Sequence, residues 1–168
     1  SFEKFMDGKL DQLPNERPTL LDWEDHLSTI FTEIRLKKFI EFRGADTGPW
    51  ASLCALPALW VGLLYDDEAL NEAESLASSW TPEMYNKAYS EVPIKGMDLI
   101  INNNSIKDYA KELIKISKKG LKNRKMLDSS GNDETGYLNQ LEEIAYSGKN
   151  QAAEMLYIWN NYGDSAIR

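Results

Sequence analysis

The sequence has few of the side chains that most often carry covalent or metal chemistry, with one cysteine, Cys54, and one histidine, His26. A single cysteine excludes an internal disulfide, and because the chain has no charged-then-apolar start, we expect a reducing cytoplasm. His26 falls beside an apolar helix face, where a lone histidine is typically a packed, hydrogen-bonded residue. Nothing in the sequence brings Cys54 and His26 together, so we reject a thiol enzyme.

An excess of positive charge is also missing, since 19 Lys and Arg residues stand against 27 Asp and Glu residues, a formal net charge of −8. Nucleic acids and anionic membranes are bound mainly through clustered cations, so we expect neither as a partner. One basic cluster does occur, between Lys111 and Lys125 on an expected helix. It is either a solvated face, an anion-contacting surface, or the side that faces an acidic segment.

The sequence lacks an apolar run long enough for a membrane span, which needs about 20 residues. The longest run, Trp50–Tyr65, is shorter and contains Pro57, so it predicts a buried helix that bends near the proline. Its large apolar residues are expected in the core: Trp50, Leu53, Leu56, Leu59, Trp60, Leu63 and Leu64. The glycine-rich turn at 44–49 does not have the GxxxxGK[ST] order of a P-loop, so it does not by itself predict a phosphate cradle.

A stretch of alternating charged and apolar residues precedes that turn. Its charged side chains share one parity: Arg35, Lys37, Glu41 and Arg43. Its apolar side chains share the other: Leu36, Ile40 and Phe42. Because successive side chains of a strand point to opposite faces, the pattern predicts one half-buried strand with an apolar face and an ionic face.

The ionic face has two interpretations. It is a plain solvated surface, as exposed charges commonly are. Alternatively, the Glu41 carboxylate is an oxygen ligand for Mg2+, and the neighbouring cations neutralise phosphate or carboxylate charge during a reaction. Composition alone does not choose between them.

Helix start signals cover most of the remaining sequence. Thr19 with Asp22 predicts a capping box and a helix that buries Trp23, Leu27, Ile30 and Phe31. Similar signals begin helices after Asp66, Thr81, Ser105, Asp133 and Asn150. The expected fold class is α+β and predominantly helical, with about seven helical segments and one or a few strands. We expect an irregular lead-in at 1–18, a helix, strand and turn at 19–50, and a helical remainder at 51–168.

Several segments resemble one enzyme family closely. They read WEDHL at 23–27, EIRLKKF at 33–39, RGAD at 43–46, GPW at 48–50 and LCALPALWVGLLYD at 53–66, with weaker likeness at 131–135 and in the tail. These segments resemble the sequence of glutamate–cysteine ligase of the type shared by plants and many Gram-negative bacteria. A stretch as long as 35–66 is far more specific than a short motif.

The resemblance implies a fold similar to glutamine synthetase and a chain that is only the C-terminal part of a longer ligase. It implies ATP and Mg2+ as cofactors, and glutamate, cysteine and ATP as substrates. The γ-carboxylate of glutamate would be phosphorylated and then attacked by the cysteine amine, giving γ-glutamylcysteine in the first step of glutathione synthesis. The missing N-terminal part is then the partner of this chain, and we expect the chain alone to be inactive.

The resemblance also assigns residues. Glutamine synthetase relatives place a metal carboxylate and a substrate arginine two residues apart on a strand, and Glu41-Phe42-Arg43 has that spacing. Glu41 is therefore expected to bind Mg2+, and Arg43 to act as a catalytic residue that contacts glutamate or the transferred phosphoryl group. Arg35 and Lys37 are expected to face ATP phosphates, and Trp50 to contribute to substrate or ATP binding.

A second class of function is a non-catalytic helical binding module. Its support is the acidic charge, the many amphipathic helices, and the absence of a complete catalytic set in the chain. Binding of ATP separates this module from the ligase.

Overall fold

The structure, a computed structural model, describes residues 1–163 and is predominantly helical. The six strands among those residues are short and form three antiparallel pairs. The predicted α+β class is therefore confirmed at this level. The chain divides into two compact units, Ser1–Asp46 and Thr47–Arg168.

The first unit contains two helices and two hairpins. The helices are α1, Phe2–Met6, and α2, Leu20–Ser28. The first hairpin pairs β1, Lys9–Leu10, with β2, Leu13–Pro14. The second pairs β3, Ile34–Leu36, with β4, Ile40–Phe42.

The single strand expected across 35–43 is instead the β3–β4 hairpin, so that prediction was wrong. Leu36 lies opposite Ile40 and Arg35 lies opposite Glu41, while the chain turns at 37–39. Lys37 donates its backbone N–H to the Phe39 carbonyl over 2.9 Å, and Arg43 donates to the Glu33 carbonyl over 2.8 Å. The turn has none of the Gly, Pro, Asn or Asp residues that usually mark one.

The burial of the first unit also differs from the prediction. Its apolar hairpin residues Ile34, Leu36 and Ile40 are exposed, and Arg35 is the one buried residue of 1–46. The apolar residues expected to be buried by the first predicted helix are exposed as well: Trp23, Leu27, Ile30 and Phe31. The helix ends at Ser28, before two of them, and the Phe2 ring, 5.1 Å from that of Trp23, covers the remaining face only in part.

The second unit is built from helices. They are α3, Trp50–Leu64; α4, Asp67–Ser78; α5, Pro82–Lys95; α6, Ile106–Arg124; α7, Asn139–Ser147; and α8, Gln151–Tyr162. Two 3₁₀ segments, Gly96–Asp98 and Glu134–Leu138, and one hairpin of β5, Ile100–Ile101, with β6, Asn104–Ser105, complete it. Across the described residues 1–163, no helix has the length and apolar character needed to span a membrane.

Side-chain caps explain where four of these helices begin, namely α4, α5, α6 and α8. The Asp66 carboxylate accepts from the Ala69 N–H over 2.9 Å, and the Asn150 side chain accepts from the Ala153 N–H over 2.8 Å. Ser105 and Asp108 form a complete capping box, as do Thr19 and Asp22 in the first unit. Each cap satisfies backbone donors that the first helical turn leaves unpaired, so these predicted starts are confirmed.

The core of the second unit lies where α3, α4 and α6 meet. Leu63, Ala69 and Ile116 are buried there, and Trp60 and Leu113 pack against them. The predicted apolar helix is thus confirmed as α3, with Pro57 inside it. The expected burial of its first turn was wrong, because Trp50 is 78% exposed and Leu53 is exposed too.

The α3–α6 contact is unusually close because two glycines meet. A Cβ added at Gly120 would lie 1.9 Å from the Gly62 carbonyl oxygen and 3.0 Å from the Ala69 Cβ. Beside them, the buried Ser117 hydroxyl donates to the Leu59 carbonyl over 3.0 Å. Backbone therefore packs directly on backbone at this point.

Candidate functional site

The predicted ionic face forms a compact charged cluster at the end of α2. The Arg35 guanidinium donates through Nη1 to the carbonyl of Ser28, the last residue of that helix. The last carbonyls of a helix have no partner within it, so this bond satisfies one of them. Arg35 consequently ties the β3–β4 hairpin to the helix.

The same guanidinium holds Glu41 across the hairpin. Its Nε and Nη2 atoms are each 2.8 Å from Glu41 Oε2, and Arg43 Nη1 is 3.4 Å from that oxygen. The Arg35 side chain is only 10% exposed, whereas those of Glu41 and Arg43 are 30% and 32% exposed. The cluster therefore has a buried cation, a partly exposed carboxylate and a partly exposed second cation.

An aromatic ring lies against both arginines. The Arg43 guanidinium is 5.1 Å from the centroid of the Phe31 ring, and that of Arg35 is 5.8 Å from it. These distances are within the range of cation–π attraction. Phe31 is itself exposed, so it restrains Arg43 without burying it.

The arginines keep the carboxylate charged. The hydrogen bond from Arg35 holds the pKa of the Glu41 carboxyl below its ordinary value, although partial desolvation acts in the opposite direction. The charge of Arg35 and the longer contact of Arg43 lower this pKa further. Glu41 is thus ionised at neutral pH, and two cations against one carboxylate leave the cluster with net positive charge.

The cluster fits one carboxylate ligand of a magnesium ion. Among residues 1–163, every donor to Glu41 ends on Oε2, which leaves Oε1 for another partner. No group of three His, Cys, Asp or Glu side chains within those residues is arranged to hold a metal. Mg2+ commonly takes one or two protein carboxylates together with substrate phosphates and water, so Glu41 suits it as one ligand of several.

The structure brings three of the five predicted site residues together: Arg35, Glu41 and Arg43. Lys37 lies in the hairpin turn, where it lines a surface cavity of about 510 Å³ with Leu27, Leu36 and Phe39. Trp50 is the first residue of α3 in the second unit. The roles assigned to all five remain predictions.

Sequence reasoning did not identify two groups of the cluster, the Phe31 ring and the Ser28 carbonyl. Phe31 was assigned to a buried helix face, and a backbone carbonyl carries no residue-type signal. The pairing of Arg35 with Glu41 follows only from the turn at 37–39. A hairpin interpretation of 34–42 would have shown it, because Arg35 and Glu41 are then directly opposite.

The basic face of α6 pairs with acidic side chains of its own unit. Lys119 lies 2.8 Å from both Glu68 and Glu72, and these two carboxylates raise its pKa. Lys118 lies 2.5 Å from Glu142 of α7. Of the three interpretations of this face, contact with an acidic segment is therefore the one observed for these lysines.

Fold and site together define a helix-rich α+β protein with a compact ionic cluster of Arg35, Glu41 and Arg43. A model of the family "Glutamate-cysteine ligase family 2(GCS2)" matches residues 4–166. The chain belongs to that family, as the resemblance of its sequence segments indicated.

Curated relatives agree with this assignment. The chain is 45% identical over 159 residues to "Glutamate--cysteine ligase A, chloroplastic" of Oryza sativa subsp. indica, covering 95% of this chain and 31% of the relative. It is 42% identical over 160 residues to "Glutamate--cysteine ligase, chloroplastic" of Arabidopsis thaliana, and that match covers 95% of this chain and 30% of the relative. The Medicago truncatula protein of the same name is 38% identical over 167 residues, and the match covers 99% of this chain and 32% of that relative. The chain thus spans about a third of the length of the relatives it matches.

Proposed function

We propose that this chain is the C-terminal part of an ATP-dependent glutamate–cysteine ligase with a fold related to glutamine synthetase. Family membership supports the reaction class. The observation that carries the assignment to this segment is the ionised Glu41 carboxylate, bound by arginine on one oxygen and open on the other. The ligase would form γ-glutamylcysteine, the first step of glutathione synthesis.

The reaction has two steps. A γ-carboxylate oxygen of glutamate attacks the γ-phosphorus of ATP, and the bond to ADP breaks. The cysteine amine then attacks the acyl carbon, phosphate leaves, and the amine gives up a proton. Both steps crowd negative charge at one place, so the protein contributes mainly by positioning and by charge stabilisation.

The charged cluster supplies parts of that stabilisation. Mg2+, when bound by Glu41 with ligands from outside this chain, would neutralise phosphate charge. Arg43 would bind glutamate or the transferred phosphoryl group, because its guanidinium is partly exposed and lies 5.1 Å from the centroid of the Phe31 ring. Lys37 would reach ATP phosphates from the exposed hairpin turn, and Trp50 would offer an exposed ring to a substrate.

Replacement of Glu41 tests the function in the complete ligase. Glu41→Gln keeps the shape of the side chain and removes its charge, so we expect turnover to fall by about 100-fold. Lys38→Met is the matched control, because Lys38 lies in the same hairpin turn and carries no assigned role. Turnover of the Gln variant within about twofold of this control would reject the metal role of Glu41.

The helical binding module remains the second candidate, and the exposed apolar residues of 1–46 favour it. Ile34, Leu36 and Ile40 form a surface of the kind that partner proteins cover. ADP release by the complete protein separates the candidates, because a binding module releases none. A release that requires both glutamate and cysteine supports the ligase.

We propose the cytoplasm as the compartment of the ligase, supported only by the scarcity of cysteine in this chain. The plant relatives are named chloroplastic. Microscopy of the complete protein with a C-terminal fluorescent tag distinguishes the two, and fluorescence confined to plastids would contradict the proposal.

A further inference from the structure

Arg35 differs from the other cations of the hairpin in being buried and fully engaged. Its side chain is 10% exposed, and its Nε, Nη1 and Nη2 atoms all contact acceptors of the first unit. A buried guanidinium is costly unless acceptors satisfy it, and here Glu41 and the Ser28 carbonyl do so. Its position is therefore fixed by the end of α2.

The contact with Glu41 is one-sided. Two nitrogens of Arg35 converge on the same oxygen, Oε2, at 2.8 Å each, instead of one nitrogen on each oxygen. Nothing among residues 1–163 donates to Oε1. Arg35 thus restrains the rotation of the carboxylate and leaves one oxygen available.

Arg43 makes a weaker version of the same contact. Its Nη1 atom is 3.4 Å from Glu41 Oε2, and its side chain is 32% exposed. Arg43 can leave the carboxylate to bind a substrate, whereas Arg35 would have to abandon three contacts in a buried place. The two arginines therefore suit different tasks.

We propose that Arg35 is a positioning residue that holds Glu41 by Oε2 and thereby directs Oε1 to a divalent cation, and that it does not contact ATP. The proposal rests on the metal role of Glu41 given above. Partners that orient a metal ligand in this way typically change metal affinity by about 10-fold to 100-fold when they are removed. The role replaces the ATP contact that the sequence suggested for Arg35.

Metal binding by the complete ligase tests the proposal without reference to turnover. Free Mn2+ is titrated by electron paramagnetic resonance in the absence of substrates, for Arg35→Met, Arg35→Lys, Glu41→Gln and the control Lys38→Met. We expect Arg35→Met to weaken Mn2+ binding by about 10-fold, and the KM for ATP at saturating metal to stay within about threefold. Adding Arg35→Met to Glu41→Gln should weaken binding by less than about threefold more, since the carboxylate to be positioned is gone.

The outcomes separate this proposal from the proposed function. If Glu41→Gln weakens Mn2+ binding and Arg35→Met matches Lys38→Met, the positioning role is wrong while the metal role stands. If Glu41→Gln has no effect, both fail. A raised KM for ATP with unchanged Mn2+ affinity makes Arg35 an ATP contact and overturns the proposal.

Circular dichroism verifies folding of each variant. Should Arg35→Met not fold, Arg35→Lys carries the test, because lysine keeps the charge and the apolar stem. Lysine supplies one compact ammonium group instead of a planar fork, so we expect Mn2+ binding to weaken by about threefold. Wild-type affinity in Arg35→Lys would then overturn the proposal.

Discussion

At the scale of single residues, the planar shape of Arg43 matters as much as its charge. Its guanidinium lies 5.1 Å from the Phe31 ring centroid and reaches Glu41, two contacts that a lysine ammonium does not reproduce together. We expect Arg43→Lys in the complete ligase to lower kcat/KM for glutamate by about 100-fold. Steady-state kinetics with varied glutamate measure this.

The matched control is Arg17→Lys, the same exchange at an exposed arginine of the same unit. It should leave kcat/KM within about twofold of the parent enzyme. A similar value for Arg43→Lys would mean that charge alone suffices at that position.

The relation of Glu41 to Arg43 was predictable from the sequence, but that of Glu41 to Arg35 was not. Residues two apart on a strand share a face. Because the extended backbone of β4 continues to Arg43, Glu41 and Arg43 lie on the same face. Arg35 lies on the other strand of a hairpin whose turn, Lys37-Lys38-Phe39, has no turn-forming residue. Tertiary contacts, and not local preference, fold the chain back there.

At the scale of elements, the helix starts were predictable because each cap is local. Ser105 and Asp108 are three residues apart and bond each other regardless of the rest of the chain. Burial was less predictable, because it depends on what covers a face. Leu27 and Trp50 both lie on apolar segments, yet within residues 1–163 they remain 38% and 78% exposed.

The crossing of α3 and α6 gives a stability prediction. Gly120→Ala places a methyl group 1.9 Å from the Gly62 carbonyl oxygen, so the two helices must separate. We expect the free energy of unfolding of the 168-residue chain to fall by about 3 kcal/mol, measured by urea denaturation.

Gly136→Ala is the control for that measurement, since a Cβ there meets no atom within 4 Å. It should leave stability unchanged within about 0.5 kcal/mol or raise it slightly. Equal stability of the two alanine variants would show that the α3–α6 contact can relax at little cost.

At the scale of the whole molecule, the proposed function assigns one metal carboxylate, Glu41, to a chain that spans about a third of the length of its relatives. Under that proposal, the remaining ligands and most of the nucleotide site would come from outside the chain. We expect the 168-residue chain to release no ADP from ATP in the presence of Mg2+, glutamate and cysteine, in a coupled spectrophotometric assay. The complete ligase is the positive control, and release by the chain that depends on both amino acids would contradict the expectation.

The burial of Arg35 in place of an apolar residue in 1–46 also has a calorimetric consequence. The heat capacity change of unfolding comes from newly hydrated apolar surface, and polar surface contributes with the opposite sign. Among residues 1–163, the buried apolar residues, such as Leu63, Leu121 and Leu138, all lie in the second unit. The step in heat capacity between the folded and unfolded baselines of a calorimetric scan would therefore come mainly from the helical unit, and the segment that carries the candidate site would add little to it.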